Sequence, residues 1–373
     1  MNYIKRAKQL LRSALLLCLV LSWPALADIR IGSWNIQNFG WGEQKSIAAV
    51  TQVASQFDIL AIQELMNAEA LDALEAMLEE STGEEWSSMH SHLMGSSSRY
   101  QEMYAFLWRD STVSYEDGAV VYIDDRNAFA REPYSARFKS LESGTDFVLA
   151  TVHITYGKSI SDRTPEIHAL RSYWDWLEEV YPESVSRRML VGDFNMRPSH
   201  EAWAELFEVA QPLITTGATT LSSNDRQYAN LYDNIIVPLG HDLPISEVGI
   251  FTFPELLSEK GEYWSHEDAR RHVSDHTPVF ATFGDTPTYG STDLAVKIPA
   301  QPVEQEPSSS EDCIDLNKAS RDELVGIIHI GEIRVDDLIV QRPWTSVNQL
   351  TRINGIGPAR LRDINNQNFI CDL

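Results

Sequence analysis

Residues 147–155 read FVLATVHIT, an apolar and β-branched run that stops at His153. A short run without polar alternation is the pattern of a strand buried on both faces. Four other stretches share its form. Residues 274–283 (SDHTPVFATF) carry Asp275 and His276 at the head of a strand-like run. Residues 30–38 (RIGSWNIQN) reach Asn35, 58–64 (DILAIQE) end at Glu64, and 189–195 (MLVGDFN) end at Asp193 and Asn195. Buried strands that stop at carboxylate, amide or imidazole deliver those groups to one rim. Carboxylates suit a hard cation, amides hold phosphate and water, and two imidazoles move protons near neutral pH. The set fits metal-assisted hydrolysis of a phosphodiester.

Further strands are expected in EMYAFLWR (102–109), RRMLVG (187–192) and LYDNIIV (231–237), and helices over 45–56, 68–80, 166–180 and 201–208. Strands alternating with amphipathic helices predict one α/β domain over residues 28–284. Residues 285–312 are rich in Pro, Ser, Glu and Gln and predict a flexible linker. Residues 313–373 form a small helical module bracketed by Cys313 and Cys371.

The 373 residues are 43% apolar, an ordinary globular composition, with a net charge of −24. That acidity opposes non-specific adhesion of nucleic acid to the whole surface, although a local cleft with a bound cation can reverse the sign. The N-terminus joins Lys5, Arg6, Lys8 and Arg12 to an apolar run ending near Leu21, then Ala25-Leu26-Ala27. This predicts a signal peptide over 1–27 and an exported protein, periplasmic or extracellular. The apolar run is too short to span a bilayer, and no membrane helix is expected in the mature chain. In an exported chain the even pair Cys313 and Cys371 suggests a disulfide, worth roughly 4 kcal/mol by chain entropy. Free thiols and pairing between chains remain the alternatives.

Each polar group taken alone also has a plain reading. Asn35 could cap a turn, Glu64 could face a helix N-terminus, Gly192-Asp193 is turn chemistry, and His153 could be a satisfied core histidine. All of them at strand ends of one domain make the functional reading the better one. The segments, in order, resemble the endonuclease/exonuclease/phosphatase superfamily and its deoxyribonuclease-I-like branch. SWNIQNFG, DILAIQEL, RYQEMYAFLWR, FAREPYSARF, VHIT, VGDFNM, YDNIIV and SDHTPV carry the likeness. The resemblance implies a four-layer sandwich of two packed mixed β-sheets flanked by helices. It implies Mg²⁺ on Glu64 and Asn35, with Mn²⁺ as a substitute. It implies His276 as general base, oriented by a carboxylate such as Asp275 or Asp233, and His153 as general acid paired with Glu102. Asp193 and Asn195 would position phosphate and water, and Arg131 and Arg99 would contact DNA. The products would carry 5′-phosphate and 3′-hydroxyl ends.

Two departures from the family pattern stand out. The segment VVYIDDRNAF (120–129) has no cysteine, so the disulfide-closed loop of animal members is missing. Residues 215–220, TTGATT, resemble a calcium-stabilised loop without its carboxylate, which leaves structural Ca²⁺ open.

In the module, Gly355-Ile356-Gly357 lies between helical patterns, followed by Arg360. A tight Gly turn there would aim backbone amides at phosphate without reading bases. The module resembles the tandem helix-hairpin-helix domain of bacterial competence DNA receptors. Its first hairpin is degenerate, with His329-Ile330-Gly331-Glu332 in place of a Gly-Ile-Gly-Pro turn. The combined expectation is an exported Mg²⁺-dependent DNA endonuclease with DNA as its partner, a tethered DNA-binding module and no obligate protein partner. The rivals are a phosphodiesterase or phosphatase of the same fold acting on RNA, phospholipid or sugar phosphate, and a non-catalytic DNA-capture protein.

Overall fold

The computed structural model describes residues 27–284 apart from 43–44, 98–99, 223, 225 and 260–263; then 295–298; and 314–371 apart from 320, 322–323, 325–326, 328, 358–359, 362–363 and 365–369. Fourteen strands are defined among them: β1 Ala27–Phe39, β2 Ile59–Leu65, β3 Trp86–His90, β4 Met94–Ser97, β5 Tyr100–Arg109, β6 Val113–Val121, β7 Tyr134–Ser140, β8 Asp146–His153, β9 Arg188–Asp193, β10 Ala210–Pro212, β11 Asp233–Pro238, β12 Ile245–Phe251, β13 Val279–Gly284 and β14 Ala295–Ile298. One sheet has the order β14-β12-β13-β1-β2-β5-β3, with β4 on β5. The other runs β10-β11-β9-β8-β7-β6. Both are mixed, because β1 pairs with β2 and β8 with β9 in parallel while the other pairings are antiparallel.

The sheets pack face to face. Ile31, Ile59 and Phe106 from one meet Phe138, Leu149, Val191 and Ile235 from the other. On the outer face of the first sheet, Val50 and Val53 of α1 (Ile47–Ala54) and Leu71, Leu74 and Leu78 of α2 (Ala68–Thr82) cover Leu60 and Leu107. On the second, Ile167, Leu170, Trp174 and Leu177 of α3 (Ile160–Val180) cover Val148, Val152 and Leu190. Layers of helix, sheet, sheet and helix result, as the resemblance implied. A strand buried on both faces favours apolar side chains at most positions, which explains the near-continuous apolar runs in the sequence. Helix starts follow local chemistry: Ser46 and Asn67 accept the amides of Ala49 and Ala70. The helix expected from 166 begins at Ile160, because Ser159 and Asp162 form a capping box. Residues 201–208 form a 3₁₀ turn and a single α-turn rather than one helix.

The expected linker 285–312 is corrected in one part. Ala295–Ile298 pairs antiparallel with β12 and takes the edge of the first sheet. Its β-branched Val296 and Ile298 suit a strand, although Pro and Ser surround it in sequence. The remainder of the stretch lies outside the described residues, as do residues 1–26 of the expected signal peptide. Beyond the linker, Leu316, Leu324, Val335, Leu338, Trp344, Leu350 and Ile353 form a hydrophobic cluster of their own around the helix α4 at Gly331–Val340. Among the described residues no helix is long and apolar enough to cross a membrane.

Candidate active site

Strand parity brings the polar groups together. Inward positions in β8 are 147, 149 and 151, so His153 continues the same face; Asp193 continues 189 and 191 in β9, and Asn35 continues 29 and 31 in β1. Glu102 precedes Tyr104 and Phe106 on the inner face of β5, and Asp233 precedes Ile235 on β11. Side chains two apart share a face, so the two inner faces converge on one cleft. The parallel pairs β1/β2 and β8/β9 place Asn35, Glu64, His153 and Asp193 at carboxyl ends of strands, where open α/β sheets hold their sites. Glu64 would point outward by parity. Its backbone is left-handed at φ 59°, and the register of β2 with both neighbours shifts beside it. That local twist turns its carboxylate into the cleft.

Two imidazoles are each backed by a buried carboxylate. His153 Nδ1 lies 2.7 Å from Glu102 Oε1, and His276 Nδ1 lies 2.8 Å from Asp233 Oδ2. With Nδ1 held, each ring presents Nε2 to the cleft. The two Nε2 atoms lie 3.5 and 3.6 Å from the same Asp193 Oδ2. Asp193 also accepts from Asn35 Nδ2 at 3.1 Å and from the Asn195 amide at 2.9 Å. Asn35 Nδ2 donates to Glu64 Oε1 at 3.0 Å, and Asn195 Nδ2 to the Ile154 carbonyl at 2.8 Å. A hydrogen-bonded string thus crosses the cleft from Glu64 through Asn35 and Asp193 to Asn195.

Charge follows from these contacts. Burial works against ionisation of Glu102, yet His153 and Arg131 beside it hold its carboxyl below the usual carboxylate range. Burial also opposes the charge of Asp193, which His276 and His153 override to keep its pKa low. For His153 burial favours the neutral ring, but Glu102 lifts its pKa above the ordinary histidine value. For His276 the lift is larger, because Asp233 and Asp193 together outweigh burial. Both rings are therefore poised to hold a proton until a counter-charge or higher pH removes it.

Arg131, expected as a DNA contact, is 8% exposed. Its Nε and Nη2 donate to the His153 carbonyl at 3.1 and 2.8 Å, and Nε lies 3.4 Å from Glu102 Oε1. The guanidinium clamps the Glu102–His153 pair rather than reaching outward. Of the two candidate partners for His276, Asp233 is the one in hydrogen-bond contact with the ring. Asp275 accepts from Gln37 Nε2 at 2.8 Å. Arg99 lies outside the described residues.

Several supports gave no clear sign in sequence. Tyr104 Oη accepts the His153 amide at 2.8 Å. Ser274 Oγ donates to the Asn35 carbonyl at 2.6 Å and accepts the His276 amide, while Trp34 Nε1 donates to the His276 carbonyl. Thr219 Oγ1 accepts the Asp233 amide at 3.1 Å, and the Thr219 carbonyl accepts from Thr277 N. The segment that resembles a calcium-stabilised loop is thus tied by its own hydrogen bonds to the His276 side of the cleft. Lys45 donates to Val273 O at 2.8 Å and to Gln37 Oε1 at 3.3 Å, its pKa brought down to about 8 by burial.

Two oxygen-rich places could hold a cation. Asp193, Asp233 and His276 lie close enough to share one. An ion there would take the Asp233–His276 bond and the ring nitrogen that a general base needs. Glu64 offers a carboxylate beside Asp193 with neither histidine consumed, and an all-oxygen set suits a small hard cation. Asn35 turns its nitrogen to the two carboxylates and its oxygen to the Gln37 amide at 2.9 Å. To offer oxygen, its amide must turn over and release Gln37.

In the module, Gly355 is left-handed at φ 87°, and Gly355, Gly357 and Arg360 are exposed. Arg360 Nη1 donates to the Gly355 carbonyl at 2.9 Å, which braces the turn. His329 is also left-handed, at φ 68°, an unusual geometry for a side chain where glycine was expected. Arg334 donates to the carbonyls of His329 and Asn354 at 3.2 and 3.0 Å, joining the two turns. Cys371 is disulfide-bonded, and Cys313 lies outside the described residues.

A two-sheet α/β sandwich whose strand ends converge on two carboxylate-backed imidazoles and an acidic-amide cluster is a hydrolase architecture. The chain belongs to the Endonuclease/Exonuclease/phosphatase family, which it matches over residues 32–276. It is 50% identical over 359 residues to a deoxyribonuclease of Thioalkalivibrio sp., covering 96% of each chain. To the human protein deoxyribonuclease-1-like 2 it is 26% identical over 294 residues, or 69% of this chain and 92% of that one. The structure of a functionally unknown conserved protein from Enterococcus faecalis shares the fold, with a TM-score of 0.50 at 17% identity, covering 69% of this chain and all of that one.

Proposed function

We propose that the protein is an exported, Mg²⁺-dependent endonuclease that hydrolyses phosphodiester bonds in DNA. A helix-hairpin-helix module over residues 313–373 would tether it to DNA. The observation that carries the reading is the pair of carboxylate-backed imidazoles whose Nε2 atoms share Asp193. The deoxyribonuclease relative at 50% identity supports DNA as substrate.

Glu64 would hold Mg²⁺, with Asn35 after its amide turns, and Mn²⁺ would substitute. When bound, the cation supplies positive charge against the scissile phosphate and opposes the lift on the histidines. His276, oriented by Asp233, takes a proton from water as its oxygen bonds to phosphorus. The P–O3′ bond breaks, and His153 gives its proton to the departing O3′. A 5′-phosphate and a 3′-hydroxyl result. Two aligned imidazoles contribute about 10²–10⁴-fold each. Glu102 and Arg131 keep His153 in register, and Asp193 with Asn195 orders the polar atoms around phosphate and water.

In the module, the amides of Gly355 and Gly357 would meet backbone phosphate, with Arg360 beside them. A tether raises the local concentration of DNA at the cleft. Export rests on the N-terminal signal pattern. The disulfide at Cys371, for which we propose Cys313 as partner, supports an oxidising compartment.

The test is nicking of supercoiled plasmid by the mature chain in Mg²⁺ and in EDTA, beside H276A. Nicking that needs both metal and His276 is expected. Intact plasmid together with hydrolysis of RNA or of a phospholipid diester would move the substrate. DNA bound but never cut would point to a capture protein.

A further inference from the structure

The string across the cleft has an exposed aromatic ring at each end. At the Glu64 end, Tyr100 Oη lies 3.2 Å from Glu64 Oε2, and Trp41 packs on Tyr100 with ring centroids 5.7 Å apart. Trp41 is 55% exposed, yet its backbone is fixed. Its amide donates to the Asn38 carbonyl at 3.0 Å, and the Asn38 amide donates to Glu64 Oε2 at 2.8 Å. At the Asn195 end, Arg163 Nη1 donates to the Asn195 carbonyl at 2.6 Å and Nε to the Tyr156 carbonyl at 2.7 Å. The same guanidinium lies 4.2 Å from the ring centre of Tyr156, which is 51% exposed. Single exposed aromatics are ordinary on a protein surface. These two are each joined, through one intermediate residue, to a residue of the string.

We propose that Trp41 and Tyr156 are stacking platforms for the bases on either side of the scissile phosphate. The inference rests on the phosphodiester-hydrolase reading above. Bases stack on aromatic rings without regard to sequence, and the contact does not depend on charge. On a chain with net charge −24, phosphate attraction is weak outside the cleft, so a charge-independent contact carries more of the binding. Tyr100 and Arg163 hold the platforms at the edge of the cleft, and ordering them on binding costs little.

The test uses a short single-stranded oligonucleotide with one cleavable phosphodiester, its other linkages being methylphosphonate. Two versions carry either normal bases or abasic residues on both sides of that bond. W41A and Y156A are each expected to lower kcat/KM about tenfold on the base-bearing version, within the usual range for one stacked base, and to leave the abasic version unchanged. W41F, which keeps a ring, should retain most of the activity. Equal loss on both versions, or no loss on either, overturns the proposal. Loss with one variant alone overturns the two-sided arrangement. A wild-type protein inert on both versions, under conditions where it also leaves plasmid intact, sinks the nuclease reading itself.

Discussion

In the proposed mechanism the proton transfers fall to His153 and His276, and their neighbours make the two rings unequal. Arg131 sits on the acid side, its guanidinium engaged by the His153 carbonyl and Glu102. Removing it loosens the general acid without touching the base. R131A should therefore lower kcat about 10²-fold, the lower bound for a lost proton donor, with KM for DNA changed little. R131K should recover only part, because one ammonium cannot span carbonyl and carboxylate as a fork does. A rise in KM with kcat intact would make Arg131 a DNA contact. On the base side, the pKa of His276 stands well above the ordinary histidine value, against burial, because Asp233 and Asp193 face it. A base must be neutral, so kcat/KM should rise with pH on a limb lying above the ordinary histidine pKa. D233N removes the first of the raising charges, so that limb should move to lower pH while kcat falls. An unmoved limb would assign it to another group. Sequence order allowed either Asp233 or Asp275 to serve His276, because their nearness to the ring is settled only in space. Arg131 beside Glu132 and Pro133 was likewise expected to contact DNA, and its packing against the His153 carbonyl and Glu102 shows only in space.

At the scale of elements, the parallel pair β8/β9 is the frame on which His153 and Asp193 are mounted. Gly192 has φ 142°, and a Cβ there would lie 1.9 Å from the Val152 carbonyl. G192A should force the two strands apart at the register pair Val152–Gly192, next to His153–Asp193. A loss of about 3 kcal/mol in unfolding free energy, with faster amide exchange at Val152 and His153, is the expected outcome. Unchanged stability would mean that the strands can part there at no cost. Strands β1, β2, β5, β8, β9, β11 and β13 were legible because both their faces are buried, so most of their residues are apolar. Strand β6, with Glu116 and Asp117 exposed, and the short β4 and β10 lack that signature. The inward turn of Glu64 was not legible either, since a left-handed glutamate leaves no mark in residue type.

For the whole molecule, the edge strand β14 shows that the catalytic unit extends past residue 284. A chain ending at 312 should keep kcat on short oligonucleotides while its KM for long duplex rises about tenfold or more, the effect of losing a tether. Equal KM values would deny the module any part in DNA capture. The layered sandwich could be read in advance from the order of motifs, whereas β14 could not, because its few strand-forming residues are set among linker residues. The proposed division of labour between His153 and His276 can be read by comparing H153A and H276A on DNA and on a nucleotide 4-nitrophenyl phosphodiester, whose leaving group departs without a proton. Both variants should fail on DNA, H153A should regain near-wild-type turnover on the nitrophenyl ester, and H276A should not. Rescue of H276A instead, or of neither variant, would contradict the assigned roles.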